Sequence, residues 1–251
     1  MIRIFSDSTC DLSKELVERY DITILPLHIL LGEEEFLDGV NITPDEIYKW
    51  SDEHKTTPKT SAVSIEDVMK AAKPYLDQGD EIISFSISDD MSTSGNVMHM
   101  AAAELEAEDR FHVINSANLS TGIGLLVIEA AIMAKEGKTS EEIITKIEGL
   151  KPLVRASFVV DTLTYLYRGG RCSGLAALAG GALKLHPQII VVDGAMKPAK
   201  KYRGNMLHVT LDYVRDMENA MLNSHKDRVF ITHSGSDPKV VQEVYDYLEG
   251  L

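Results

Sequence analysis

Short apolar runs alternate with amphipathic ones along most of this chain, and that alternation limits the fold more than any other feature. The runs at 2–5 (IRIF), 81–88 (EIISFSIS) and 110–116 (RFHVINS) are short and rich in apolar residues, as strands in a covered sheet are. Between them, 11–20 (DLSKELVERY) places Leu12, Leu16, Val17 and Tyr20 on one helical face. Thr43, Pro44 and Glu46 form a capping box with proline at the first helical position. Ser64 and Asp67 repeat the device ahead of a helix over SIEDVMKAAKPYL. Further helices are expected near 92–107, 119–136 and 139–150. The run at 22–31 (ITILPLHILL) reads as a strand in which Pro26 marks an edge or a bend. Strands and helices in this order are the pattern of parallel βαβ units.

Later in the chain the strands thicken, at 156–162 (ASFVVDT), 187–194 (PQIIVVDG) and 227–234 (DRVFITHS). Helices are expected near 173–185 and 205–223, and a last one starts at Asp237 with Pro238 in its first position. The expected fold class is α/β with two α/β domains. Residues 1–157 would hold a mostly parallel sheet with flanking helices, and 158–251 a mixed sheet with helices. With 44% hydrophobic residues the chain has material for a real core. Its charge, 25 − 39 = −14, argues against nucleic acid as a partner, since no counterion release would favour binding. Cys10 and Cys172 show no paired spacing, which points to a reducing compartment. The opening MIRIFSDST enters a strand without a signal-peptide pattern, and no apolar run reaches bilayer length. The expected location is the cytoplasm.

Hydroxyl-rich turns follow several strands. In open α/β sheets ligands sit at the carboxyl ends of the strands, and a helix N-terminus there favours an anion. Ser92 and Ser94 fall where EIISFSIS gives way to a helix; the plainer role for Ser92 is a helix cap. Asp89 and Asp90 oppose an anion unless they point away. SDSTCD at 6–11 brings Asp7, Ser8 and Thr9 to the end of the first strand, where Asp7 either orients the hydroxyls or caps the next turn. NSANLSTGIG at 115–124, with Ser116, has the same ambiguity. Thr60 and Ser61, in TTPKTSAVS at 56–64, read either as part of a polar site or as a solvated loop. His233, in ITHSGS, ends a strand; it is either a site residue or a histidine bonded within its turn. His28, His112 and His186 have apolar neighbours and read as structural.

YLYRGGRCSG at 165–174 sets two glycines between Arg168 and Arg171, either a helix C-cap or a turn that presents Arg171. KPAKKYRG at 197–204, with Arg203, is a basic run in an acidic chain. It reads as an exposed hairpin strand or as a docking face. Phosphate loops, GxGxxG, HExxH, CxxC and GxSxG are absent from the sequence. The residues alone thus describe an α/β protein with a polar-headed pocket and no evident catalytic pair. Two rival readings stay open: a phosphotransferase or hydrolase acting alone on small molecules, and a regulatory interaction protein.

Taken together, FSDST (5–9), TTPKTSAVS (56–64), SISDDMSTSG (86–95), DTLTYLYRGGRCSG (161–174), DGAMKPAKKYRG (193–204) and ITHSGSDPKVV (231–241) resemble the DegV family of bacterial lipid-binding proteins. Studied members of that family are the fatty-acid-binding subunits of fatty acid kinase. The resemblance implies a long-chain fatty acid as ligand, its carboxylate held by Thr60, Ser61 and Ser92. Ser8, Thr9, Ser94, Ser116 and His233 would be head-group neighbours. Neutral hydroxyls hold a buried carboxylate without the cost of burying a cation. A sixteen-carbon tail would gain roughly 10 kcal/mol gross on burial.

The resemblance further implies a chain that is not an enzyme and binds no metal or cofactor of its own. A separate kinase subunit, carrying ATP and magnesium, would phosphorylate the presented carboxylate, with Arg171 and Arg203 facing it. Transient membrane contact and a monomeric state are also expected. The chain departs from the family pattern at Thr93, which follows Ser92 where glycine is usual, and at Asp89, Asp90 and Asn115. The family usually continues past the position of Leu251 with a strand and a His-Gly-Pro turn, so the second domain is expected to be shortened.

Overall fold

A computed structural model describes residues 1–170, 185–225 and 227–251. Arg171 and the helix expected near 173–185 therefore lie outside the described residues, apart from the last position of that helix. The chain divides into two compact units, Met1–Ala156 with Asp193–Ala195, and Ser157–Val192 with Met196–Leu251.

In chain order the first unit runs β1 (Ile2–Asp7), α1 (Lys14–Tyr20), β2 (Ile22–Leu25), β3 (His28–Leu31), β4 (Glu34–Leu37), α2 (Pro44–His54), β5 (Lys59–Ser61), α3 (Ile65–Leu76), β6 (Glu81–Ser86), α4 (Ser94–Glu104), β7 (Phe111–Asn115), α5 (Thr121–Lys135) and α6 (Ser140–Leu150). Four strands form a parallel sheet in the order β2-β1-β6-β7. Alternation along the strands builds two cores. Ile4, Ile83 and Phe85 join Ile123, Leu126, Val127, Ile143 and Ile147. Their sequence neighbours Phe5 and Ile82 join Val68, Met98 and Phe111 in a second core. Both faces are thus covered, which is why these strands read as apolar runs.

The run at 22–31 is two strands, not one. β2 ends at Leu25, and β3 joins a separate antiparallel sheet of order β4-β3-β5. Pro26 stands at the break, where its missing N–H costs no ladder bond. The helix caps follow the sequence pattern. Thr43 and Glu46 bond reciprocally, Ser64 Oγ accepts from Asp67 N–H, and Asp237 accepts from Lys239 N–H.

The second unit holds β8 (Ser157–Val159), α7 (Thr164–Gly169), β9 (Leu185–Val192), β10 (from Ala195, which belongs to the first unit, to Arg203), α8 (Met206–Leu222) and α9 (Pro238–Glu249). Its sheet has the order β10-β9-β8, with β8 and β9 antiparallel. α8 and α9 pack through Val209, Tyr213, Val214 and Val244. The basic run at 197–204 lies mainly in β10 with its lysines exposed, and α7 ends at Gly169 before Gly170 at φ +70°. The run at 227–234 forms no strand: none of the strands of this sheet takes it as a partner, and Val229 and Ile231 are exposed. No helix among the described residues is long and apolar enough to cross a membrane.

Candidate functional site

The chain order of the parallel sheet reverses between β1 and β6, so the carboxyl ends of these strands flank its switch point. Asp7 ends β1 and is fully buried. Its Oδ1 accepts from Thr9 N–H and Oγ1–H, and its Oδ2 accepts from Ile87 N–H at 2.8 Å. Asp7 therefore both orients Thr9 and caps the short turn Ser8–Cys10. Burial pushes its pKa up to about 6, against the pull of the Thr9 and Ile87 hydrogen bonds. Ser8 is not its partner: Ser8 Oγ donates to Asp38 Oδ2 at 2.7 Å and accepts from Leu27 N–H.

β6 ends at Ser86, whose side chain is fully buried and whose Oγ has no hydrogen-bond partner among the described residues. A Cβ built on Gly95 would lie 2.8 Å from that oxygen, so Ser86 Oγ faces the first turn of α4. Ser92 and Ser94 meet there. Their hydroxyls are 2.9 Å apart, and Ser92 Oγ accepts from Ser94 N–H at 3.3 Å. The N-cap residue is Thr93, one residue past Ser92, and its side chain makes no capping bond. The start of α4 thus offers N–H groups and three hydroxyls, an arrangement that suits an oxyanion.

Asp89 does not point away from this turn. Asn115 Nδ2 donates to Asp89 Oδ2 at 2.8 Å, and Asp89 Oδ1 lies 2.7 Å from the Cβ position of Gly95. The carboxylate is exposed, and Asn115 Nδ2 is its donor among the described residues. Ser116, after β7, is buried and bonds within its own turn: its Oγ accepts from Asn118 N–H and donates to Asn118 O.

Thr60 and Ser61 are not in a loop but in β5, an exposed edge strand in which Ser61 pairs with His28 and Thr60 with Ile29. His28 follows the end of β2 by three residues, a reach of at most about 11 Å. The small sheet therefore starts at the carboxyl side of the parallel one. His233 and Arg203 are exposed in the second unit, and Arg171 is outside the described residues. No group of His, Cys, Asp or Glu among the described residues has the arrangement of a metal site. A depression of about 310 Å³ near His99, His112 and Glu148 is lined by none of these hydroxyls. Sequence reading passed over Ser86, although a serine inside an apolar strand was a usable signal.

A family model described as "Uncharacterised protein, DegV family" matches residues 1–250. A DegV domain-containing protein of Clostridium perfringens is 37% identical over 203 residues, covering 81% of this chain and 72% of the relative. A stearic acid-binding protein from Eubacterium ventriosum superposes with a TM-score of 0.86 at 31% identity, covering 99% of this chain and 88% of the other. A fatty-acid-binding DegV family protein from Thermus thermophilus superposes at 0.84 with 28% identity, covering 99% and 87%.

Proposed function

The chain belongs to the DegV family, and from that premise we propose that it binds a long-chain fatty acid and presents the carboxylate for a partner's chemistry. The observation that carries the reading is the buried hydroxyl of Ser86, without a partner among the described residues, facing the start of α4 beside Ser92 and Ser94. A buried polar group without a partner is costly. A ligand oxygen that accepts from it removes that cost and meets the positive end of the helix.

In this reading Ser92 is the principal carboxylate ligand, and Thr60 and Ser61 reach it from the small sheet. Ser8, Thr9, Ser94 and Ser116 shape the surrounding turns. The protein itself transfers nothing. A separate kinase subunit, with ATP and magnesium, would form the acyl phosphate, docking on Arg171 and Arg203. Transient membrane contact would deliver the product, and the carrier would act in the cytoplasm as a monomer.

The test is mass spectrometry of lipid released when never-delipidated protein is denatured in organic solvent. A near-stoichiometric fatty acid is the expected result. An empty protein, still empty after incubation with a panel of fatty acids, would overturn the reading.

A further inference from the structure

Both ring nitrogens of His28 lie against carboxylate oxygens. Nδ1 is 2.7 Å from Glu35 Oε1, and Nε2 is 2.8 Å from Asp67 Oδ2. A neutral imidazole has one donor and one lone pair, so it can satisfy only one of these contacts and must turn its lone pair to the other carboxylate. Only the imidazolium donates to both. The geometry alone therefore selects the charged ring.

Three elements meet at this ring. β3 carries it, β4 brings Glu35 and α3 brings Asp67, which also takes the Ser64 hydroxyl at the cap of α3. β5 adds the residues of interest, since Ser61 is the ladder partner of His28 and Thr60 that of Ile29. β5 has only three residues, all exposed, so its placement depends on β3. Glu34 and Lys59 face the ladder further along, opposite Leu31 and Leu30.

We propose that His28, as an imidazolium, is the positioning residue that clips β3, and with it Thr60 and Ser61, to β4 and α3, so that loss of its proton speeds release of a bound fatty acid. This rests on the lipid reading given above. Partial burial of the ring works against its charge, but the hydrogen bonds and charges of Asp67 and Glu35 outweigh that and raise its pKa. The clip is thus complete below the unfolded histidine pKa and is lost as pH rises through the higher folded value.

The experiment measures transfer of anthroyloxy-stearate from the loaded protein to phosphatidylcholine vesicles between about pH 6 and about pH 9. Wild type should release slowly at low pH and about fivefold faster at high pH, beyond the change that the stearate's own titration causes in every variant. His28→Gln, which is neutral and has a single donor nitrogen, should be fast throughout. His28→Lys, which keeps the cation, should be slow throughout. If His28→Gln does not fold, His28→Lys decides alone: a slow, flat profile supports the clip and the wild-type profile overturns it. The two readings fail differently. A wild type that holds no stearate at any pH overturns the lipid reading and this one with it. A wild type that holds it, with a profile that both variants leave intact, overturns the clip alone.

Discussion

Asp7 Oδ2 accepts the Ile87 N–H at 2.8 Å, so the buried carboxylate that ends β1 is bonded directly to the residue that follows β6. This bond ties together the carboxyl ends of the two strands that flank the switch point. Burial makes this carboxylate sensitive to protons, because its partners, Thr9 and Ile87, are neutral donors.

The first prediction follows from that burial. Asp7 rises from the ordinary 3.8 to about 6 on folding, mainly through desolvation. A raised acid binds its proton more tightly in the folded state, so its ionisation lowers stability as pH climbs from about 4 to above 6. A shift of about two units corresponds to about 3 kcal/mol. Melting curves of wild type and Asp7→Asn across this range should differ by a slope of that sign. Parallel curves would show that Asp7 is not buried as described.

Ser86 and Ser92 should part company. Ser92→Ala removes the acceptor of the Ser94 N–H and a proposed carboxylate donor. It should weaken fatty acid retention by about 1–3 kcal/mol. Ser86→Ala deletes a hydroxyl that has no partner among the described residues, so melting should be unchanged or slightly improved while retention falls. Calorimetric melting and a fatty acid binding titration on the same samples check the pair. Loss of stability without loss of binding in Ser86→Ala would contradict the site.

Asp89 should oppose the ligand. Its carboxylate lies over Gly95, where a fatty acid carboxylate would approach the same helix start. Solvent screens an exposed charge, so the repulsion is on the order of 1 kcal/mol. Asp89→Asn should therefore tighten binding roughly fivefold near neutral pH, and more at low ionic strength. Binding titrations at two salt concentrations test this, and unchanged affinity at low salt would place the ligand elsewhere.

Much of this architecture was legible because local and tertiary signals agree. The capping residues Thr43, Ser64 and Asp237 are local chemistry, and each starts the helix it was expected to start. The apolar strands were legible because both faces of the sheet are covered. Legibility failed where pairing decides. Nothing within 22–31 says that β2 and β3 belong to different sheets, although Pro26 marks the place. Thr60 and Ser61 looked like loop residues because an exposed three-residue edge strand has no apolar period. The run at 227–234 looked like a strand, but an apolar run becomes one only beside a partner. Among the candidate site residues, Ser92 was visible from its place before a helix. The role of Asp7 depends on Ile87, which is 80 residues away.

Gly95 separates binding from stability. A Cβ there would lie 2.7 Å from Asp89 Oδ1 and 2.8 Å from Ser86 Oγ, both side-chain atoms. Exposed Asp89 can swing out at the cost of its Asn115 bond, and the Ser86 hydroxyl can turn. Alanine also favours helix over glycine by about 1 kcal/mol. Gly95→Ala should therefore melt within about 1 kcal/mol of wild type. Its methyl group would nonetheless stand before Ser86 Oγ and displace a carboxylate, lowering retention about tenfold or more, a loss of about 1.4 kcal/mol. Gly124→Ala is the control. Its Cβ would meet Leu12 Cδ2 at 2.7 Å and the backbone carbonyl of Cys10 at 3.0 Å, and that backbone oxygen cannot turn aside. It should cost about 1–3 kcal/mol of stability through overpacking. Melting and retention measured on both variants should move in this crossed pattern. If Gly95→Ala keeps full retention, the carboxylate does not bind at the start of α4.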